Sequence, residues 1–492
     1  MSVVKLKLKN HAMLQLTQCE RHIASELSDH FTFEVPGAKF MPAVKRRQWD
    51  GKIRLLNRMN GEINAGLYVA IKKFCDSKNY GVELEESPYG YITDKNKVNH
   101  LATMQWIKEL NLPFEVRDYQ YDAVTHALEN KRCILVSPTG SGKSLIIYLL
   151  MRHYFDNFSK KKILVVVPTT SLVEQMYSDF KLYNFDVDSH CHKIYSGKDK
   201  DTNKRIVITT WQSIYKLAPK WFSDFGCIFG DEVHGFKAKS LSSIMNKAIN
   251  ADCRYGTTGT LDGTLVNELV LEGLFGPVHK VTTTHELQKK EALAKLSIDV
   301  VLLQYEEEYC KSTGTRTYHD EIDFLVTYEK RNKFITNLAL SQTGNTLVLF
   351  NLVDRHGKVL RDMMRKKLKD NQSLYYVSGE TTTADREAVR NIVEKNTNSI
   401  ILASLGTFST GINIRNIHNI IFASPSKSQI RVLQSIGRGL RIADNRSDTK
   451  LYDIADDLHY RSKKNFTLLH SAERIKIYSN EKFPYKIVPL SI

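Results

Sequence analysis

No apolar run in this 492-residue chain reaches the about 18–20 residues that a helix needs to cross a bilayer, and the N-terminus shows no secretory apolar region. A membrane or secreted protein is not expected, and a cytoplasmic one is. The seven cysteines, Cys19, Cys75, Cys133, Cys191, Cys227, Cys253 and Cys310, contain no Cys-x-x-Cys pair. An odd, unpatterned set excludes a disulfide framework and reads as reduced, buried thiols. His190-Cys191-His192 has the composition of a metal cluster, but successive side chains of an extended segment point to opposite faces, and no second ligand pair lies nearby in sequence. No metal is expected there. Short-period repeats and low-complexity tracts are also missing.

What is present is ordinary for a globular protein: 42% hydrophobic and 25% charged residues, over a length that suggests about two to four domains. The charge is not ordinary. Seventy Lys+Arg stand against 54 Asp+Glu, a formal +16. Such a field draws polyanions, of which nucleic acid is the commonest large one in a cytoplasm, although charge alone does not separate that reading from a merely soluble basic protein.

Residues 1–100 are expected to form a small basic accessory domain that engages DNA. It has strand-like alternation at Val3–Leu8, a helix around Glu20–Leu27, and a stretch Lys45–Arg54 in which five cations and one acid, Asp50, surround Trp49. Trp49 is read equally as a stacking or wedging residue and as core. From Phe114 onward, short apolar runs (Cys133–Val136, Ile163–Val167, Ile206–Thr209, Cys227–Phe229) alternate with helical stretches. A second series follows at Thr346–Phe350, Leu374–Val377, Ile400–Ala403 and Ile420–Ala423. Continuous buried strands alternating with helices mean parallel sheets covered on both faces. The expected fold is α/β, with two tandem doubly wound lobes at 101–290 and 291–470 and a tail, 471–492, packed on them.

Ile134-Leu135-Val136 runs into Ser137-Pro138-Thr139-Gly140-Ser141-Gly142-Lys143-Ser144. This is G-x-x-x-x-G-K-[ST] with Ser137 in place of the first glycine. Glycines let backbone N–H groups curl around phosphate oxygens at a helix N-terminus. Lys143 then reaches the β/γ-phosphates, and the Ser144 hydroxyl ligates Mg²⁺. Lys143 itself is expected to be a solvated ammonium with no core role. Asp231-Glu232-Val233-His234 follows an apolar run, which puts two carboxylates at a strand's C-terminal end, where open parallel sheets bind ligands. Asp231 would hold Mg²⁺ and Glu232 would polarise the attacking water. Gln434-Ser435-Ile436-Gly437-Arg438-Gly439-Leu440-Arg441 presents two arginines three apart on one helix face, suited to gripping developing phosphate charge.

In this order, these motifs resemble a superfamily 2 helicase of the DExH type, which implies RecA-like lobes, ATP and Mg²⁺. The resemblance implies that Arg117-Asp118-Tyr119-Gln120 recognises adenine, with Gln120 on the base edge and Arg117 or Phe114 stacked on it. Thr139, Gly140, Ser141, Gly142, Lys143, Ser144 and Gly411 would contact nucleotide, with ATP held between the lobes. Val167–Leu172 and Thr209–Ser213 resemble strand-binding segments of the first lobe. Gly256–Thr260 sits where the family carries its coupling motif, and His234 would sense Gln434. Val377-Ser378-Gly379 with Arg386, and Ser409–Asn413, match second-lobe segments. Gln48–Leu55, Ile71–Asp76 and Glu481-Lys482-Phe483 are similar to the UvsW helicases of T-even-like phages. That likeness spans the whole chain. It implies a DNA helicase of recombination, repair and replication acting on single-stranded and branched DNA (forks, Holliday junctions, D-loops), with RNA met in R-loops, in the host-cell cytoplasm. The rival readings are a DExH RNA helicase, an annealing protein with a degenerate ATPase, and the motor of a restriction complex.

Overall fold

The computed structural model describes all residues other than 1, 36, 159–160, 196, 237, 262–264, 291–292, 412–413, 415 and 425–447. They divide into two compact units, Met1–Ser137 with Gly142–Val281, and Thr282–Ile492, to which the loop residues Pro138–Ser141 are assigned. No helix among the described residues is long and apolar enough to cross a membrane.

The first unit opens with a five-stranded sheet in the order Leu56–Asn57, Glu62–Asn64, Met13–Gln18, Val3–Leu8, Gly81–Leu84. Alternation in Val3–Leu8 turns Val4, Leu6 and Leu8 into the core, as a two-residue period requires. Helices Arg21–His30 and Tyr68–Ser77 close that face with Ile23, Leu27, Ile71 and Cys75. A separate ribbon pairs Thr32–Glu34 with Lys52–Arg54. The result is the small α+β domain that was expected.

This domain is built onto the sheet that follows it. His11 N–H donates to Ile249 O at 3.2 Å, and Arg132 Nη2 donates to His11 O at 2.8 Å. The Asn64 amide reaches Asn246 Oδ1 at 2.7 Å. Gly66 packs so tightly on the helix Leu265–Phe275 that a Cβ there would lie 1.9 Å from Glu272 O.

The rest of the first unit is a seven-stranded, all-parallel sheet. Its order is Cys191–Ile194, Ile206–Thr210, Lys162–Val167, Phe225–Asp231, Cys253–Thr258, Arg132–Val136, Val278–Lys280. The helix Lys143–Asn157 buries every residue from Leu145 to Met151; a helix apolar all round belongs inside. Trp211 is buried and Trp221 packs on Phe222 and Phe225. His190 packs on Phe155 and Phe185, whereas His192 bonds Asp199 O, so the two imidazoles diverge. All seven cysteines are free thiols, six of them buried.

The second unit repeats the plan, with seven parallel strands in the order Ser373–Val377, Ser399–Ser404, Thr346–Phe350, Asn419–Phe422, Asp448–Asp457, Lys295–Gln304, Tyr485–Ser491. The terminal segment, expected as a tail, has regular structure of its own. Phe466–Asn480 is a helix, and Tyr485–Ser491 is an edge strand in register with Lys295–Gln304. Two fully buried ion pairs brace this lobe: Arg331 with Asp456 at 2.7 Å, joined by the Tyr305 hydroxyl, and Arg474 with Asp453 at 2.8 Å, joined by the Tyr478 hydroxyl.

Gly66→Ala should lower stability by about 1–3 kcal/mol, because the clash is with helix backbone that cannot rotate away. Chemical denaturation of the full chain checks this. An unchanged midpoint would mean that the two surfaces separate at little cost.

Candidate nucleotide site

The strand Arg132–Val136 and the helix Lys143–Asn157 are joined by a loop that turns twice through left-handed backbone, at Gly140 (φ +88°) and Gly142 (φ +84°). Side chains are strained there, which is why glycine stands at both. Ser137 is buried and donates its N–H to Thr258 O at 2.9 Å, which ties the loop's start to the neighbouring strand. Ser141 folds back onto Pro138 O through both its N–H (3.2 Å) and its hydroxyl (2.7 Å). Thr139 and Ser144 are half-buried on this loop and the first helical turn.

Lys143 departs from expectation. Its side chain is 12% exposed, and Nζ donates to Ser137 O at 3.1 Å and lies 3.6 Å from Glu232 Oε1. It is an enclosed, paired ammonium. The cause is Asp231-Glu232, delivered by the fully buried strand Phe225–Asp231 to the same end of the sheet.

Asp231 Oδ1 accepts the Thr257 hydroxyl at 2.7 Å and the Glu232 N–H at 2.9 Å. Burial first, then the adjacent Glu232 charge, pushes its carboxyl up to about 6, with Lys143 pulling the other way. Glu232 has left-handed backbone (φ +50°), a costly choice for a non-glycine residue. That turn aims its carboxylate at Lys143 on one side. On the other it reaches His234 Nδ1 at 3.5 Å and Gly259 N–H at 3.4 Å. His234 Nδ1 also sits 2.6 Å from the Thr258 hydroxyl, which donates to Thr260 O at 2.8 Å. Since the Thr258 proton is committed, His234 donates from Nδ1. The expected catalytic loop, the Asp-Glu-Val-His turn and Gly256–Thr260 are therefore one network inside one lobe.

Gln120 is buried on the helix Asp118–Asn130 and closes a reciprocal cap with Arg117. Gln120 Oε1 accepts Arg117 N–H at 3.0 Å, and Gln120 N–H donates to Arg117 O at 3.0 Å. Its amide nitrogen presses on the phosphate loop, so that a Cβ at Gly142 would lie 2.3 Å away. Arg117 points its guanidinium at the Tyr119 hydroxyl, 3.1 Å away. Gly411 ends the helix Leu405–Gly411. Gln434, Arg438 and Arg441 lie outside the described residues, as do Ile412 and Asn413.

The two segments expected to bind a strand share one groove of about 650 Å³ on the first lobe, lined by Pro168, Thr169, Thr170, Thr210, Gln212 and Ser213. The Gln212 amide donates to Pro168 O at 3.1 Å and links them. Sequence reasoning missed the opposite wall, Tyr195, Gly197, Lys198 and Lys200. Lys198 and Lys200 alternate with Asp199 and Asp201, so local charge gave no signal of it. In the second unit, Arg386 turns its guanidinium to Ser378 O and Gly379 O at 3.3 and 3.4 Å.

Three family models match in series: "DNA helicase UvsW, N-terminal" over residues 3–85, "Type III restriction enzyme, res subunit" over 113–263, and "Helicase conserved C-terminal domain" over 329–443. The chain is 36% identical to the ATP-dependent DNA helicase uvsW of Enterobacteria phage T4 over 489 residues, 95% of each protein. The chain belongs to the UvsW family of DNA helicases. Like its relative, it is an ATP-dependent DNA helicase. The crystal structure of T4 UvsW aligns over the full length of both chains, at 33% identity and a TM-score of 0.53. The Type ISP restriction-modification enzyme LlaBIII shares the fold, with a TM-score of 0.57 at 16% identity over 77% of this chain and 32% of that one. What sets this UvsW family member's motor site apart from its generic motifs is the buried support beneath them, Thr257 under Asp231 and Gln120 under Gly142.

Raising a carboxyl pKa on folding gives stability that is complete below the ordinary value near 4 and lost as pH rises through about 6. Activity should move the opposite way where this carboxylate works in its ionised form, since a protonated carboxyl is a poor ligand for a cation. We expect kcat/KM for ATP to fall below pH about 6 rather than about 4, since this ratio reports the free enzyme. An acid limb near 4 would mean that Asp231 ionises normally.

Proposed function

We propose that this helicase remodels branched DNA (stalled forks, Holliday junctions and D-loops, with R-loops a further substrate) during phage recombination, repair and replication in the host cytoplasm. The observation that carries the motor reading is the unbroken contact chain Ser137–Lys143–Glu232–His234–Thr258. It joins the phosphate loop to the C-terminal end of the adjacent strand, Cys253–Thr258. Incoming phosphates compete for Lys143 and draw it from Glu232. The freed carboxylate is then placed to orient water and accept its proton. His234, fixed by Thr258, registers that change. Any shift of the Asp-Glu-Val-His turn is passed to Gly259 and Thr260.

Asp231 and Ser144 are hard oxygen donors of the kind Mg²⁺ takes. With Oδ1 occupied by Thr257 and Glu232, Asp231 keeps Oδ2 for the cation. When bound, the ion supplies neutralising charge on the β- and γ-phosphate oxygens. Gln434, Arg438 and Arg441 are assigned to transition-state charge on their spacing and family pattern. Arg117 and Gln120 are assigned to the adenine side. For Gln120 the cap geometry supports a second duty, shaping the phosphate loop.

Among the rivals, an RNA helicase predicts stimulation by RNA, and an annealing protein predicts activity without Lys143. ATP turnover and unwinding measured on single strands, duplexes, forks and four-way junctions of both sugars decide between them. We expect DNA to stimulate and RNA not to, with forks and junctions remodelled in preference to linear duplex. Equal rates on linear and branched duplex would remove the branched-DNA reading. Lys143→Ala should keep DNA binding and cut kcat by roughly 10²–10³-fold or more; near-normal turnover would refute the loop's assignment. Arg441→Ala should lower kcat far more than it changes KM. A change confined to KM would transfer the transition-state role to Arg438.

A further inference from the structure

The N-terminal ribbon carries at its end a small platform, Gly37–Gln48, whose composition does not match its position. The tip contains the 3-10 turn Ala38–Phe40 and the short helix Pro42–Lys45. Phe40 is 69% exposed and Met41 41%. The backbone that carries them is well tied. The N–H groups of Ala38, Phe40, Met41, Val44, Lys45, Arg46, Arg47 and Gln48 are all hydrogen-bonded within the platform or to Val35. Gly51, at φ +79°, lies against the Ala38 and Val44 side chains, and Val35 N–H to Gly51 O at 2.9 Å closes the base. Trp49, the residue whose wedging or core role was left open, is half-buried and donates its indole N–H to Lys52 O at 2.9 Å. It is tied back to the ribbon.

Around the apolar tip stand Lys39, Lys45, Arg46 and Arg47, none of them in an ion pair among the described residues. The other two cations of the ribbon, Lys52 and Arg54, are paired with Glu34 and Asp50. Lys39 Nζ lies over the Phe40 ring, 5.2 Å from its centroid, while most of the ring stays exposed. An exposed aromatic on a hydrogen-bonded backbone turn, with unpaired cations beside it in sequence, suits a surface that offers phosphate charge and a base face together. A protein contact would more often cover the apolar group and leave fewer free cations at its centre. Apolar side chains inserted at base steps, and aromatics that receive unstacked bases, are how proteins hold an opened duplex.

We propose that Phe40, with Met41 beside it, is a wedge that stacks on the terminal base pair or the splayed base at a DNA branch point, while Lys39, Lys45, Arg46 and Arg47 hold the flanking phosphates. This rests on the branched-DNA reading and gives that reading a physical element. Its test uses the full-length protein and a forked duplex with 2-aminopurine at the junction. Wild-type protein should raise the junction fluorescence. Phe40→Ala should abolish that rise and weaken fork binding about ten-fold, with melting temperature and ATP turnover on saturating single-stranded DNA unchanged. Phe40→Trp should retain the signal. Arg46→Ala/Arg47→Ala should weaken binding of fork and linear duplex alike and flatten the salt dependence by about 1.8 in log–log slope. A Phe40→Ala protein that unstacks the junction as wild type does overturns the wedge. So does loss of self-association in sedimentation with fork fluorescence intact, which would give the patch to a protein contact. If wild type itself treats forks and linear duplex alike, the branched-DNA reading fails instead, and that outcome is visible before any variant is made.

Discussion

A carboxylate buried at the end of a parallel strand is expensive, and much of the first lobe follows from keeping Asp231 there. Burial in a low-dielectric strand end disfavours its charge. Thr257 on the adjacent strand and the Glu232 amide compensate on one oxygen, and Lys143 compensates through space. The lysine follows the tight left-handed turn at Gly142, where the absence of a side chain lets Gln120 pack against the loop. The left-handed Glu232 belongs to the same requirement. A right-handed residue would carry its carboxylate away from both Lys143 and His234. The charges and the backbone strain of this site are thus held in opposition to one another.

How much of this could be read in advance depended on the range of the interactions. The strand–loop–helix at Ile134–Ser144 is local, because apolar run, glycines and lysine are contiguous, and its geometry followed the pattern. Asp231-Glu232 was legible for the same reason. Thr257 as its support was not, since the pairing of Phe225–Asp231 with Cys253–Thr258 is set by sheet order, which no local periodicity reports. Lys143 was misjudged because its exposure depends on a carboxylate 89 positions away, Glu232. Trp49 carried the composition of a wedge, and only its half-burial and its indole bond to Lys52 O show it tied back to the ribbon. The edge strand Tyr485–Ser491 alternates poorly and is mostly exposed, so its pattern resembled a tail more than a strand.

The N-terminal domain gains its meaning from how it is fastened. Gly66 lets two backbones meet at a distance no other residue allows, and Arg132 and Asn64 fix the register of the meeting. A domain attached by a linker would sample many orientations and deliver its cations diffusely. One joined through backbone presents Lys39–Arg47 in a fixed frame relative to the first-lobe groove lined by Thr169, Lys198 and Gln212. Phosphate contacts distributed over such a frame select a shape of nucleic acid rather than a sequence.

The strand Lys295–Gln304 is the first in its lobe to be synthesised, yet its neighbours are Asp448–Asp457 and Tyr485–Ser491, paired at Lys295↔Asp448 and Ile298↔Tyr485. Both of its edges therefore stay open while more than a hundred further residues emerge from the ribosome. Contacts of such long sequence separation form slowly and leave a sticky apolar strand waiting. A premature stop even a few codons before residue 485 would therefore leave Lys295–Gln304 with an unpaired edge prone to aggregation and proteolysis.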